Sequence, residues 1–226
     1  MKQNNFKKVI VITGSIGTGK STAVNIIKKL GFQVLDSDKI VHEGYNKGSA
    51  LYFKVVEHFG KEILNEDELI NRQKLGKIVF NDQERLKELN KIVHVYVINM
   101  LMKGVEESAD EVIFLDIPLI LENLNQEKEY GLKYHEIWLV YISPETQIKR
   151  LRLRAIKENK NPEDVLNIIN KQIPIDDKVA MSDEVIDNDG TIEELELKIK
   201  KLLKIKHIGW WIYGKKSSYV WEKEKN

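Results

Sequence analysis

Gly14-Ser15-Ile16-Gly17-Thr18-Gly19-Lys20-Ser21 places three glycines, an ammonium and a hydroxyl at a spacing suited to one chemistry, the holding of phosphate. Glycines let successive backbone N–H groups converge on phosphate oxygens, and a helix that starts at such a loop adds the positive end of its dipole. Lys20 is then placed to bridge β- and γ-phosphates. The Ser21 hydroxyl is a hard oxygen donor for a Mg²⁺ that keeps most of its waters. Gly14, Gly17, Thr18, Gly19, Lys20, Ser21 and Thr22 form the candidate nucleotide-binding set.

Further along lie groups that can complete a reaction. Asp36 and Asp38 close an apolar run, and carboxylates two apart in an extended chain point to one side. If that strand neighbours the one before the loop, the pair faces the phosphates, where a carboxylate can take the proton of an attacking hydroxyl. The same acids can instead cap a helix starting near Lys39. Asp116 ends Val112-Ile113-Phe114-Leu115, where a carboxylate behind Mg²⁺ is expected, and it can also be read as a turn residue before Ile117-Pro118. Arg150 and Arg154 are four apart, share a helix face and can straddle transferred phosphate charge, with Ile148, Leu151 and Ala155 as the anchoring stripe.

The elements that must position these groups are legible in the hydropathy pattern. Val9–Thr13, Gln33–Asp36, Val112–Asp116, Ile137–Ile142 and Glu184–Ile186 are β-rich runs alternating with helical periodicity, which predicts a parallel sheet covered by helices on both faces. Ala23, Val24, Ile27 and Leu30 mark the helix after the loop. Residues 39–110 read as a helical insertion, with Leu86, Leu89, Ile92 and Val93 and then Val97, Leu101 and Val105 at helical spacing. Two helices follow over about 146–158 and 162–172, and a capping box at Thr191–Glu194 opens a last helix with Ile192, Leu195, Ile199 and Leu202 as its buried stripe.

Composition narrows the class. Thirty-six basic and 35 acidic side chains leave a net charge of +1, so no global field recruits nucleic acid or a membrane surface. The absence of cysteine excludes disulfides, thiolate metal sites and a cysteine nucleophile. Apolar runs are too short to span a bilayer, and a cytoplasmic protein is expected. His42, His58, His94, His135 and His207 have no zinc-ligand spacing, and no G-x-S-x-G elbow is present.

Taken in order, these segments resemble the dephospho-CoA kinase family from about Val9 to Leu203: the loop from Thr13 to Thr22, Asp36-Ser37-Asp38-Lys39-Ile40, Leu69-Ile70-Asn71-Arg72 with Leu75 to Phe80, Leu115 to Glu122, Gln147 to Arg154, and Ser182 to Asn188. The resemblance implies a P-loop core, a helical domain on the CoA side, a mobile lid, and ATP-dependent phosphorylation of the ribose 3′-hydroxyl of dephospho-coenzyme A. It implies that Asp38 is the base with Asp36 beside it on the substrate side, that Arg154 contacts transferred phosphate from the lid, and that Asn188 lies near adenine. Arg72 and His94 are implied as acceptor contacts. The chain departs from the family at His94-Val95, where His-Pro is usual, at Ser15 in place of a second glycine, and at Ser182-Asp183 in place of Ala-Asp.

The expected organisation is a core of residues 1–38 and 111–206 with a lid over about 146–175, a CoA-side domain over 39–110, and a tail over 207–226 that holds three of the four tryptophans and is expected to fold back on the core. ATP and dephospho-CoA are the expected partners, with a monomer as the expected state. Another small-molecule kinase of this fold would carry the same loop, acids and lid. A nucleotide-dependent switch without an acceptor would not need the Asp36/Asp38 pair beside an arginine helix.

Overall fold

The computed structural model describes residues 7–209. The tryptophans expected to pack back on the core, Trp210, Trp211 and Trp221, lie outside the described residues. Five strands form one sheet in the order β2-β3-β1-β4-β5: β1 (Lys8–Thr13), β2 (Gln33–Asp36), β3 (Val112–Asp116), β4 (Glu136–Tyr141) and β5 (Glu184–Asp187). β1 pairs in parallel with β3 and β4, with Ile12 opposite Asp116 on one side and Trp138 on the other. Because β3 separates β2 from β1, the strand adjacency expected to carry Asp36 and Asp38 to the loop does not exist.

The chain divides into two compact units. One comprises the residues up to Val34, Ala109–Glu122 and those from Tyr134 onward; the other comprises Leu35–Ser108 and Asn123–Lys133. In the first, helices α1 (Lys20–Lys29), α7 (Pro144–Lys157), α8 (Pro162–Ile169), α9 (Ile175–Val179) and α10 (Ile192–Ile205) accompany the sheet. Its strands are near-continuous apolar runs because parallel strands covered on both faces expose neither side to water. Ile10, Ile12, Phe114, Trp138, Val140 and Ile186 pack with Ala23, Val24 and Ile27 of α1 and Leu195, Ile199 and Leu203 of α10. Phe114 stands edge-on between Phe32 and Trp138, with centroids 5.4 and 5.5 Å away, an arrangement aromatic quadrupoles favour.

The capping box at Thr191 and Glu194 opens α10 as expected. Its buried stripe runs Leu195, Ile199, Leu203, however, whereas Ile192 is 61% exposed. Steps of four keep those three residues on one face, and Ile192, at the first helical position, falls outside that row. Asn161 accepts from the Glu163 N–H and starts α8, as its position before Pro162 suggests.

The second unit is helical: α2 (Ser37–Gly44), α3 (Ala50–Phe59), a 3₁₀ turn (Lys61–Ile63), α4 (Arg72–Phe80), α5 (Gln83–Glu107) and α6 (Leu124–Glu129). Leu51, Val55, Phe59, Ile63, Leu75 and Val79 are buried together, with Leu86, Leu89, Ile92 and Val93 of α5 against them. Asp82 caps α5, which then runs for 25 residues straight through Val95. A proline there would remove an N–H from the helical ladder and break it; valine keeps the donor, so His94 sits inside one helix rather than at a junction. Among the described residues no helix is long and apolar enough to cross a membrane.

Candidate active site

The loop between β1 and α1 is fixed from several sides. Thr18 is buried and donates to the Ser15 carbonyl at 2.9 Å. The buried Asn188, just past β5, donates from Nδ2 to the Thr18 carbonyl at 2.7 Å, while its own carbonyl accepts from Arg150 Nη2 at 2.8 Å. Gly19 has φ +83°, and a Cβ there would lie 2.3 Å from Asn188 Nδ2, so both the backbone turn and the close approach require glycine. At Gly17, φ +84°, a Cβ would meet Leu151 Cγ of α7 at 2.8 Å. The helix beyond begins with Gly19 as N-cap and no side-chain cap, which leaves the first-turn N–H groups and the dipole for an anion.

Lys20, at the first position of α1, forms an ion pair with Asp116 at the end of β3, and the Asp116 side chain is buried. Thr13 Oγ1 donates to the Pro118 carbonyl at 2.9 Å, which holds the chain beyond Asp116 against the end of β1. Lys20, Ser21 and Asp116 thus share one neighbourhood: an ammonium, an exposed hydroxyl and a buried carboxylate. Among the described residues no group of three His, Cys, Asp or Glu could hold a metal unaided. A site with one hydroxyl and one carboxylate suits Mg²⁺, which takes its remaining oxygens from phosphates and water.

The arginines separate. Arg150 reaches the loop through Asn188, whereas Arg154, one turn further, pairs with Glu158 at 2.7 Å and is 64% exposed. Hydrogen bonds from Arg154 and then Lys160 hold the Glu158 carboxyl down at about 2. Two residues of this region carry no motif of their own: Gln147 donates from Nε2 to the Ile16 carbonyl at 2.7 Å, and Gln172 accepts from the Ile16 N–H at 3.1 Å. Gln147 was readable from its place three before Arg150 and seven before Arg154; Gln172 offers no such signal.

In the helical unit each candidate has a local setting. Asp36 is the N-cap of α2 and accepts from the Lys39 N–H at 3.0 Å, so it does the capping job. Asp38 lies in the first turn of that helix, so the extended-chain argument for a shared side fails where strand becomes helix. Asp38 is exposed, and among the described residues it makes no side-chain hydrogen bond or ion pair. Arg72 lies over the Tyr45 ring, 5.8 Å from its centroid; burial raises the Tyr45 pKa and the guanidinium opposes that shift. His94 Nδ1 is 2.9 Å from Glu127 Oε1 of α6, an electrostatic contact without hydrogen-bond alignment. Among the described residues no hydrogen bond or ion pair joins Asp38, Arg72 and His94 to one another.

The family model described as dephospho-CoA kinase matches residues 8–194, the span that holds every element above apart from α10 beyond its first turn. The chain belongs to the dephospho-CoA kinase family. Dephospho-CoA kinases of Carboxydothermus hydrogenoformans and Aquifex aeolicus are 41% and 40% identical to it, each over 86% of this chain and over 92% and 95% of their own lengths. Among solved structures, a dephospho-CoA kinase from Campylobacter jejuni aligns with TM-score 0.60 and 26% identity over 88% of this chain and 96% of its own. The Thermus thermophilus protein TT1252 aligns with TM-score 0.70 and 29% identity over 88% and 97%. The parallel sheet flanked by helices is that of a P-loop kinase.

Proposed function

We propose that the loop at Gly14–Ser21, Asp38 and the arginines of α7 divide among them the reaction of the family, ATP-dependent phosphorylation of dephospho-coenzyme A on its ribose 3′-hydroxyl, the last step of CoA synthesis. The family match across 8–194 with the phosphate loop intact is the observation that carries this reading.

The loop N–H groups and the open N-terminus of α1 bind the β- and γ-phosphates of ATP, with Gly14, Gly17, Thr18, Gly19 and Thr22 giving the loop its path. Lys20 exchanges Asp116 for phosphate oxygens. Ser21 and Asp116 would hold Mg²⁺, which when bound neutralises charge on the transferring phosphate. On the acceptor side Asp38, exposed and unpaired among the described residues, orients the 3′-hydroxyl and takes its proton as the oxygen attacks. Asp36 sets the start of α2 and so the place of Asp38, while Arg72 and His94 bind the rest of the acceptor. Arg150 and Arg154 compensate charge on the migrating group, and the lid over about 146–175 excludes water, the competing acceptor. Asn188 holds the loop beside adenine.

Residues 39–110 form the CoA-side domain in this reading, residues 1–38 and 111–206 the nucleotide-side core, and the enzyme acts as a cytoplasmic monomer. The test is an acceptor panel with ATP and Mg²⁺. ADP release should depend on dephospho-CoA and be absent with nucleoside monophosphates and small sugars; turnover on one of those and none on dephospho-CoA would overturn the reading.

A further inference from the structure

Ile16, in the phosphate loop, is held at both its backbone N–H and its carbonyl, one in each of the two peptide groups that flank it, by side chains far away in sequence. Gln147, in the first turns of α7, is 3% exposed and donates to the Ile16 carbonyl at 2.7 Å. Gln172, which follows α8, accepts the Ile16 N–H at 3.1 Å. The two glutamines therefore bracket the helical hairpin α7–α8, one at each root, and both roots are tied to the backbone of the same residue.

The face of α7 that leads from this anchor is the chemically relevant one. Gln147, Arg150, Leu151 and Arg154 stand at i, i+3, i+4 and i+7, a single stripe. Leu151 is 2% exposed and packs so closely on the loop that a Cβ at Gly17 would collide with it. Arg150 reaches the Asn188 carbonyl beside the loop. The start of α7 is fixed separately, for Ser143 donates from its N–H to Asp189 Oδ2 at 2.9 Å and from Oγ to Asp189 Oδ1 at 3.1 Å. An anchored start leaves rotation about the helix axis as the remaining freedom. A directional bond from Gln147 removes it, and Leu151 alone, being non-directional packing, would not.

We propose that Gln147 and Gln172 clamp the Ile16 backbone so that the arginine stripe of α7 is aimed at the phosphate loop, which makes both glutamines positioning residues for phosphoryl transfer. The inference rests on the arginine roles proposed above. Substrate and transferring phosphate touch the arginines, not the glutamines. A misaimed stripe costs charge compensation in the transition state while the loop still binds ATP through its own N–H groups.

Gln147→Met keeps length and fills the buried space but offers no donor. The expected result, assayed well below a melting point measured in parallel, is a kcat lowered about 10- to 100-fold with the KM for ATP within about 3-fold of native. Gln172→Met, at a part-exposed position that tolerates change, should lower kcat about 3- to 10-fold and serves if Gln147→Met does not fold. The deciding readout is a cycle against the paired variant Arg150→Ala/Arg154→Ala, which empties the stripe of its charge. If the clamp acts through the stripe, adding Gln147→Met to that pair changes kcat by less than about 2-fold. Independent losses that multiply, or a native kcat in both glutamine variants, would overturn the inference. Arg150→Ala/Arg154→Ala with native kcat would instead remove the arginine reading, and the clamp with it.

Discussion

The phosphate loop and the helical unit proposed to meet the acceptor solve opposite problems. Around the loop, side chains from four separate segments reach backbone atoms of Ile16 and Thr18 or pair with Lys20: Gln147, Gln172, Asn188 and Asp116. In the helical unit three of the groups expected to meet the acceptor have a partner inside that unit, Asp36 on the start of α2, Arg72 on Tyr45 and His94 on Glu127, while Asp38 is exposed. Polyphosphate presents the same oxygens to every enzyme of this fold, and a backbone cradle can be built for it in advance. An acceptor differs between enzymes and is met by side chains. The loop's motif was therefore explicit in sequence, while the acceptor contacts rest on family membership.

That contrast can be broken by substitution. Asp38→Asn removes the proposed base and should lower turnover about 10²- to 10⁴-fold, measured as dephospho-CoA-dependent ADP release; near-native turnover would remove Asp38 from that role. Lys20→Met should cost about 10²- to 10³-fold, because the ammonium proposed to meet the transferring phosphate is lost together with its ion pair to Asp116. Asn188→Ala leaves the Thr18 carbonyl without its donor and should cost about 1–3 kcal/mol of stability and raise the KM for ATP about 10-fold; calorimetry and steady-state kinetics read the two effects separately.

The smallest effect concerns Arg154. Its partner Glu158 has a carboxyl held at about 2 against a usual 4.5, first by Arg154 and then by Lys160. A depressed folded-state value means that the pairing is fully in force above about 4.5 and is lost only as pH falls through about 2. Across the neutral range, then, the proposed role of Arg154 requires it to exchange a charged partner for phosphate. Glu158→Gln should change kcat by no more than about 3-fold, upward, because an exposed pair is weak. A carboxyl titration followed by carbon-13 NMR should find Glu158 still ionised at pH 3.5.

Much of the fold was written in short-range pattern. The five strands, the Asn161 and Thr191 caps and the helical nature of 39–110 follow from periodicity and capping chemistry, which are local. Strand order is not local: nothing in Gln33–Asp36 says that β3 will insert between it and β1. The same limit applies to Asp36 and Asp38, whose common side depended on a strand that turns into helix between them. Ile192 shows the converse error, since an apolar residue three before Leu195 can still lie off the row of steps of four that is buried, exposed at the helix end. Gln147 stands in register with the two arginines, but Gln172 carries neither hydropathy phase nor capping chemistry. What the pair holds follows from where the Ile16 N–H and carbonyl find their hydrogen bonds, which is not local.

The contrast between a prebuilt nucleotide half and a separate acceptor half is tested most directly by titrating ATP into Lys20→Met and Asp38→Asn side by side. The account predicts an affinity weakened by about 10-fold or more in Lys20→Met and unchanged within about 2-fold in Asp38→Asn. Equal weakening in the two would contradict it, because Asp38 would then belong to the nucleotide site.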